Sequence, residues 1–277
     1  MIIPVSSGKG GVGKTTFALN VALTLARRRT TVLVDLDPGT SSLRSFLDMP
    51  IQRDLYHYIK RDVPLKDCTL GLNHSLDPEG LFRRFRVIAS PASFIDEIVN
   101  MDAVHLEKLQ RGLMGLNADY VILDNRAGLD RHVLDFLPLA NSGILIFTPK
   151  LRAATLTAAE MVRAALIRAC RHVFSAPGDD LAVMAGRELP DSTEYLEQLD
   201  AFSHKPEGPV FDLWLEWVRE RIGDCLLTRI LERVVSGYRV FFVLNQFDSV
   251  EDSAEQVVRP FMERLYKSVS QRVTAIN

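Results

Sequence analysis

Ser7-Gly8-Lys9-Gly10-Gly11-Val12-Gly13-Lys14-Thr15-Thr16 follows the apolar opening Met1-Ile2-Ile3-Pro4-Val5 and leads into Phe17-Ala18-Leu19-Asn20-Val21-Ala22-Leu23-Thr24-Leu25-Ala26. The order predicts a strand, a glycine-rich loop and a helix, the setting that a GxxxxGK[ST] phosphate-binding loop requires. Gly8, Gly10, Gly11 and Gly13 allow the backbone around Val12 to curl until successive N–H groups face one concavity. The start of the helix adds partial positive charge to that concavity. Lys14 is then placed to reach the β- and γ-phosphates of a nucleoside triphosphate. The Thr15 hydroxyl is placed to ligate Mg²⁺, and Thr16 completes the nucleotide-contacting run.

Working outward, the next apolar run is Thr31-Val32-Leu33-Val34-Asp35-Leu36-Asp37, followed by Pro38-Gly39. Its two aspartates are expected at the carboxyl end of a strand, the edge at which open parallel sheets bind ligands. The basic run Arg27-Arg28-Arg29 before it suits a helix C-terminus. Further on, Tyr120-Val121-Ile122-Leu123-Asp124 reads as a central parallel strand that delivers a carboxylate to Mg²⁺. Gly128 then permits close backbone approach to the γ-phosphate. More strands are expected in Phe85-Arg86-Val87-Ile88, Gly143-Ile144-Leu145-Ile146-Phe147 and Arg239-Val240-Phe241-Phe242-Val243-Leu244, with a last one at 272–277. The fold class is therefore α/β: a mostly parallel central sheet with helices on both faces.

Bulk properties exclude several classes. The 277 residues suit one large α/β domain, or a domain with an insert, and 47% hydrophobic and 25% charged content is ordinary for a soluble globular protein. A net charge of −2 does not advertise a polyanion binder, although it can hide a local patch. No apolar span is long enough to cross a bilayer, and the amino end reads as a core strand. Cys68, Cys170 and Cys225 form no CxxC pair and are expected to be reduced. His57 and His74 have no second metal ligand at a recognised spacing. Arg83-Arg84-Phe85-Arg86 is read as a solvated strand entry, and the basic positions Arg163, Arg168 and Arg171 of an expected helix at 153–172 as a solvated face.

Lys9 narrows the reading. The pattern Lys-Gly-Gly-Val-Gly-Lys-Thr-Thr at 9–16 resembles the deviant Walker A loop of the MinD/ParA ATPases. The resemblance implies that Lys9 reaches across a dimer interface to the partner's nucleotide, so that the ATP-bound state is a homodimer. It places Asp37 in switch I, positioning the attacking water and Mg²⁺-bound waters, with Asp35 in support. It makes Asp124-Asn125-Arg126-Ala127-Gly128 the counterpart of switch II, usually Asp-Thr-Pro-Ala-Gly or Asp-Thr-Gly-Ala-Gly. Asn125 and Arg126 depart from that pattern. Arg126 is read as an exposed side chain bridging to Asp130 or a partner, with an arginine-finger-like role as the alternative. Asn245 matches the asparagine whose amide recognises adenine, and Gln246 stands where a guanine-specific loop has lysine, so ATP is expected over GTP.

The pattern breaks between about 175 and 236. This stretch is expected to be a largely helical insert, atypical of the family, within a single domain 1–277. Its amphipathic run from Val210 carries Trp214 and Trp217, which either pack on the domain's own core or form a partner surface. Family members usually continue past the last strand, so the chain is a naturally short version or is truncated at 277. The implied function is a Mg²⁺-dependent ATPase switch with slow, partner-stimulated hydrolysis, in which Lys9, Lys14 and Asp37 carry catalysis and Thr15, Asp37 and Asp124 hold the metal. Such a switch would position or recruit a partner in the spatial organisation of a division site, flagellum or DNA. The alternative is an ATP-bound scaffold with little turnover that acts through the insert. A cytoplasmic location is expected, with peripheral attachment to a membrane or nucleoid left open and unsupported by sequence. No Fe–S cluster is expected, because no cysteine lies between 68 and 170.

Overall fold

The computed structural model describes residues 1–37, 42–93, 95–129, 143–189, 192–204 and 208–276. The chain divides into two compact units, Met1–Gly128 and Leu129–Asn277.

In the first unit the strands are β1 (Ile2–Ser7), β2 (Thr31–Leu36), β3 (Phe85–Ile88) and β4 (Tyr120–Ala127). They run parallel in the order β3-β2-β4-β1. All six residues of β2 are buried, as expected of a strand covered on both faces. Register sets Val34 opposite Leu123, Asp35 opposite Asp124 and Leu36 opposite Asn125. On its other side Asp124 faces Val5 of β1. The strand ends of β1, β2 and β4 therefore converge at one edge.

Helix α1 (Lys14–Ala26) buries Ala18, Ala22 and Ala26, one residue per turn. These small side chains let the helix lie close to the sheet, and that packing fixes where the loop before it sits. β2 stops at Leu36 because the next N–H, that of Asp37, turns back to Asp35 Oδ1 at 3.0 Å. Helices α2 (Ser42–Leu47) and α3 (Leu55–Arg61) are tied by the Arg44–Asp54 ion pair at 2.6 Å. Asp54 also caps α3 by accepting from Tyr56 N. Short helix α4 (Asp96–Val99) precedes α5 (Ala103–Met114), which buries Leu106, Leu109 and Leu113 along one face. Beyond β3, Leu70 and Val87 form an isolated antiparallel bridge.

In the second unit β5 (Ile144–Phe147), β6 (Arg239–Leu244) and β7 (Thr274–Ile276) run parallel in that order. The long helix Arg152–Phe174 is followed by helices Gly178–Ala185, Ser192–Ser203, Val210–Ile222 and Leu226–Ser236. Among the described residues the stretch 178–236 is thus largely helical. Trp214 is fully buried and donates Nε1–H to Tyr195 O at 2.9 Å. Phe174 stacks on Tyr195 with ring centroids 5.6 Å apart. Own-core packing is the outcome for Trp214, while half-buried Trp217 carries the Arg221 guanidinium 4.3 Å above its ring. Arg171 contacts both carboxylate oxygens of Asp200 on the helix Ser192–Ser203, so this basic residue is paired within the second unit. Arg163 likewise pairs with Glu160 and donates to Ser203 O.

Cys68 and Cys170 are buried, and burial pushes the Cys170 thiol up to about 12, a packing residue rather than a nucleophile. Among the described residues no helix is long and apolar enough to cross a membrane.

Candidate functional site

The loop 8–13 joins β1 to α1 in the first unit. Gly11 and Gly13 have φ of 79° and 86°, a left-handed conformation that strains residues with a Cβ. Gly13 is also the residue before the helix and provides no side-chain cap, and no acid occupies the first turn. The N–H groups of Lys14, Thr15 and Thr16 are therefore left to an external acceptor, which suits a phosphate. Val12 is buried and anchors the loop, and Ser7 Oγ donates to Lys9 O at 2.9 Å. Lys9, Gly10, Gly11 and Thr16 are exposed, Gly8 is buried, and Thr15 is half-buried.

The two lysines occupy opposite environments. Lys14 is 7% exposed, and its Nζ lies 2.5 Å from Oδ1 of Asp124, itself 1% exposed. Lys9 stands at the open face of the same loop. Gly128 closes the adjoining strand exit by donating its N–H to Ser7 O at 2.9 Å.

Around the Lys14–Asp124 pair the acceptors outnumber the donors. Asp35 Oδ2, Asp124 Oδ2 and Asn125 Oδ1 are buried without a hydrogen-bond partner. Burial, reinforced by the carboxylates of Asp124 and Asp37, pushes Asp35 up to about 7; the Asp37 N–H and Lys14 oppose the shift. Asp37 is half-buried at the exit of β2. The orphaned carboxylate oxygens of Asp35 and Asp124 are hard donors of the kind that Mg²⁺ takes, so the residues fit that ion. Among the described residues no group of three or more His, Cys, Asp or Glu could hold a metal alone.

Asn125 donates Nδ2–H to Ser6 Oγ at 2.8 Å, an interior contact across the β1–β4 pair. Arg126 donates Nη1–H to Val99 O at 3.3 Å, an interior engagement rather than the posture of a free finger. The expected bridge to Asp130 lies outside the described residues, as does the Pro38-Gly39 turn.

In the second unit Asn245 follows β6, is half-buried and donates its backbone N–H to Phe147 O at 3.0 Å. Gln246 adopts φ 58°, so the chain turns sharply just after it. Phe247 beyond is 46% exposed.

Sequence reading gave Asp35 only a supporting part and missed its isolation. An aspartate inside an otherwise apolar buried strand was the available signal.

A glycine loop opening an uncapped helix, flanked by carboxylates from two neighbouring strands, defines a P-loop nucleotide-binding fold. Residues 3–275 match the CobQ/CobB/MinD/ParA nucleotide binding domain, and the chain belongs to that family. It is 34% identical over 155 residues to the septum site-determining protein MinD of Synechocystis, covering 55% of this chain and 54% of that protein. It is 30% identical over 148 residues to the antiactivator FleN of Pseudomonas aeruginosa, covering 52% and 49% respectively. These matches span about half the length of the curated relatives. The crystal structure of the cell division ATPase MinD of Pyrococcus furiosus shares the fold at a TM-score of 0.50 and 22% identity, over 61% of this chain and 67% of that one.

Proposed function

We propose that this chain is a Mg²⁺-dependent ATPase switch that forms a homodimer around ATP and positions or recruits a partner. The observation that carries the reading is the contrast between buried Lys14 and exposed Lys9 on one glycine loop. Lys14 is placed to serve the nucleotide of its own subunit. Lys9 is free to serve a partner's, and a cation there offsets charge developing on the transferred phosphoryl group. Relatives named for septum site determination and flagellum site determination support a role in spatial positioning.

The residues divide the work as follows. The backbone N–H groups of 8–16 bind the phosphates, and Asn245 reads the adenine edge through its donor and acceptor pair. Thr15, Asp37 and Asp124 would hold Mg²⁺, which when bound neutralises phosphate charge. Asp37, at the strand exit, orients the water that attacks the γ-phosphate. Lys14 exchanges its contact with Asp124 for one with phosphate oxygens, so nucleotide binding and the buried ion pair compete. ATP shifts the monomer–dimer equilibrium only through contacts that ADP lacks, and Lys9 supplies one.

The test is light scattering behind gel filtration with ATP, a non-hydrolysable analogue and ADP, on the wild type and Lys9→Ala. We expect the wild type to double in mass with triphosphate only, and Lys9→Ala to stay monomeric while still binding nucleotide. Equal elution with ATP and ADP would remove the switch.

A second reading, an ATP-bound scaffold with little turnover acting through 175–236, is favoured by the interior commitments of Asn125 and Arg126. Phosphate release that stays at background in every dimeric preparation, with Asp37→Ala as the blank, selects it over the switch.

A further inference from the structure

We propose that this chain carries a second anion site, in a cleft beside β3, that takes a small molecule bearing a phosphate or pyrophosphate group. The cleft has a volume of about 410 Å³, and its lining includes Asn73, His74, Asp77, Phe82, Arg83 and Arg86. It shares no lining residue with the loop 8–16. Its size falls in the usual range for ligand pockets, roughly 300–1,000 Å³.

Two observations mark it as built for an anion. Among the described residues the guanidiniums of Arg83 and Arg86, both exposed, have no hydrogen-bond or ion-pair partner. Several other arginines are paired, among them Arg44 with Asp54, Arg171 with Asp200 and Arg229 with Asp224. The second observation is that both guanidiniums lie in space that glycine leaves open. A Cβ at Gly71 would overlap Arg86 Nη1, and one at Gly80 would come within 2.6 Å of Arg83 Nε.

The remaining lining suits the same ligand. Asp77 adds a carboxylate, but its oxygens are engaged by Leu81 N and Phe82 N at 2.8 and 2.9 Å. Asn73 Oδ1 accepts from Leu76 N at 3.0 Å, which leaves its amide N–H₂ as a donor. His74 is exposed and contributes an imidazole. Guanidinium forks match phosphate oxygens bidentately, so two of them with an amide and an imidazole suit a dianion. The concavity favours a compact ligand over a polymer or a lipid surface, and the Phe82 ring provides an apolar wall for whatever the phosphate is attached to.

The test is a ¹H–¹⁵N NMR titration of the full chain with inorganic pyrophosphate, following amides 71–86 separately from amides 8–16. We expect the first set to shift and saturate. In the Arg83→Ala/Arg86→Ala variant that response should weaken by about tenfold or more while the second set responds as before. Gly71→Ala, whose backbone is not left-handed, should weaken it several-fold by displacing the Arg86 guanidinium. Three results would overturn the proposal: no saturable shift at 71–86, unchanged affinity in the double variant, or a response only to vesicles containing phosphatidylinositol phosphate.

Discussion

Lys14 Nζ and Asp124 Oδ1 meet at 2.5 Å across 110 positions of sequence, both nearly sealed from solvent. The lysine proposed for phosphate is thus held by the carboxylate proposed for the metal. Removing one member of a buried pair strands the other charge and costs about 3–5 kcal/mol, whereas replacing both with apolar groups of similar volume is often neutral. Asp124→Leu alone should therefore lower the urea midpoint sharply, and adding Lys14→Met should restore most of it. Two single costs that simply add would show the ion pair to be energetically irrelevant.

Asp35 should make stability pH-dependent. Its carboxyl is raised from 3.8 to about 7, so the folded state holds the proton more tightly than the unfolded one. Stability attributable to this group is full below the unfolded value and falls as pH rises from about 4 to about 7, by at most about 4 kcal/mol. Asp35→Asn should flatten that part of the profile. A wild-type profile that is level between those limits, or that climbs, contradicts the assigned environment.

Trp214→Ala removes a fully buried indole and its hydrogen bond to Tyr195 O. The expected loss is about 3–5 kcal/mol by chemical denaturation. Trp217→Ala, at a half-buried site, should cost only on the order of 1–2 kcal/mol. Equal losses would mean that the helix Val210–Ile222 is not oriented with Trp214 inward.

Asn245→Ala should weaken ATP binding by about tenfold, the worth of one or two lost hydrogen bonds, and leave GTP binding where it was. Competition against a fluorescent nucleotide reads both. Unchanged ATP affinity would take Asn245 out of base recognition.

What the amino-acid string makes legible is whatever is encoded locally. The loop 8–16 and its flanking strand and helix are contiguous, and the aspartates of β2 and β4 announce themselves as charges ending apolar runs. The strand at 85–88 and the helical character of 175–236 follow from periodicity. Contacts between distant segments are invisible at that level. Nothing near Lys14 points to Asp124, and nothing near Asn125 points to Ser6. Arg83 and Arg86 read as solvated and are exposed, but the cleft they line exists only once the segment at 70 folds back along Val87. The arginine run 27–29 reads as a helix end, yet Arg28 O also accepts from Arg84 Nη1 at 2.8 Å, a junction that no local pattern encodes.

β3 ends the strand order of the first unit, the position where an open ladder would invite a foreign chain. Leu70 and Val87 exchange both backbone hydrogen bonds there, each 2.8 Å long. At Val87 that border strand has spent its recruiting groups on its own polypeptide. A visitor arriving in extended form finds no rung at this point, which blunts side-by-side sticking along this border of the first unit. Association along this border is thereby left to side-chain chemistry, which can be made conditional on a bound ligand in a way that a bare backbone edge cannot.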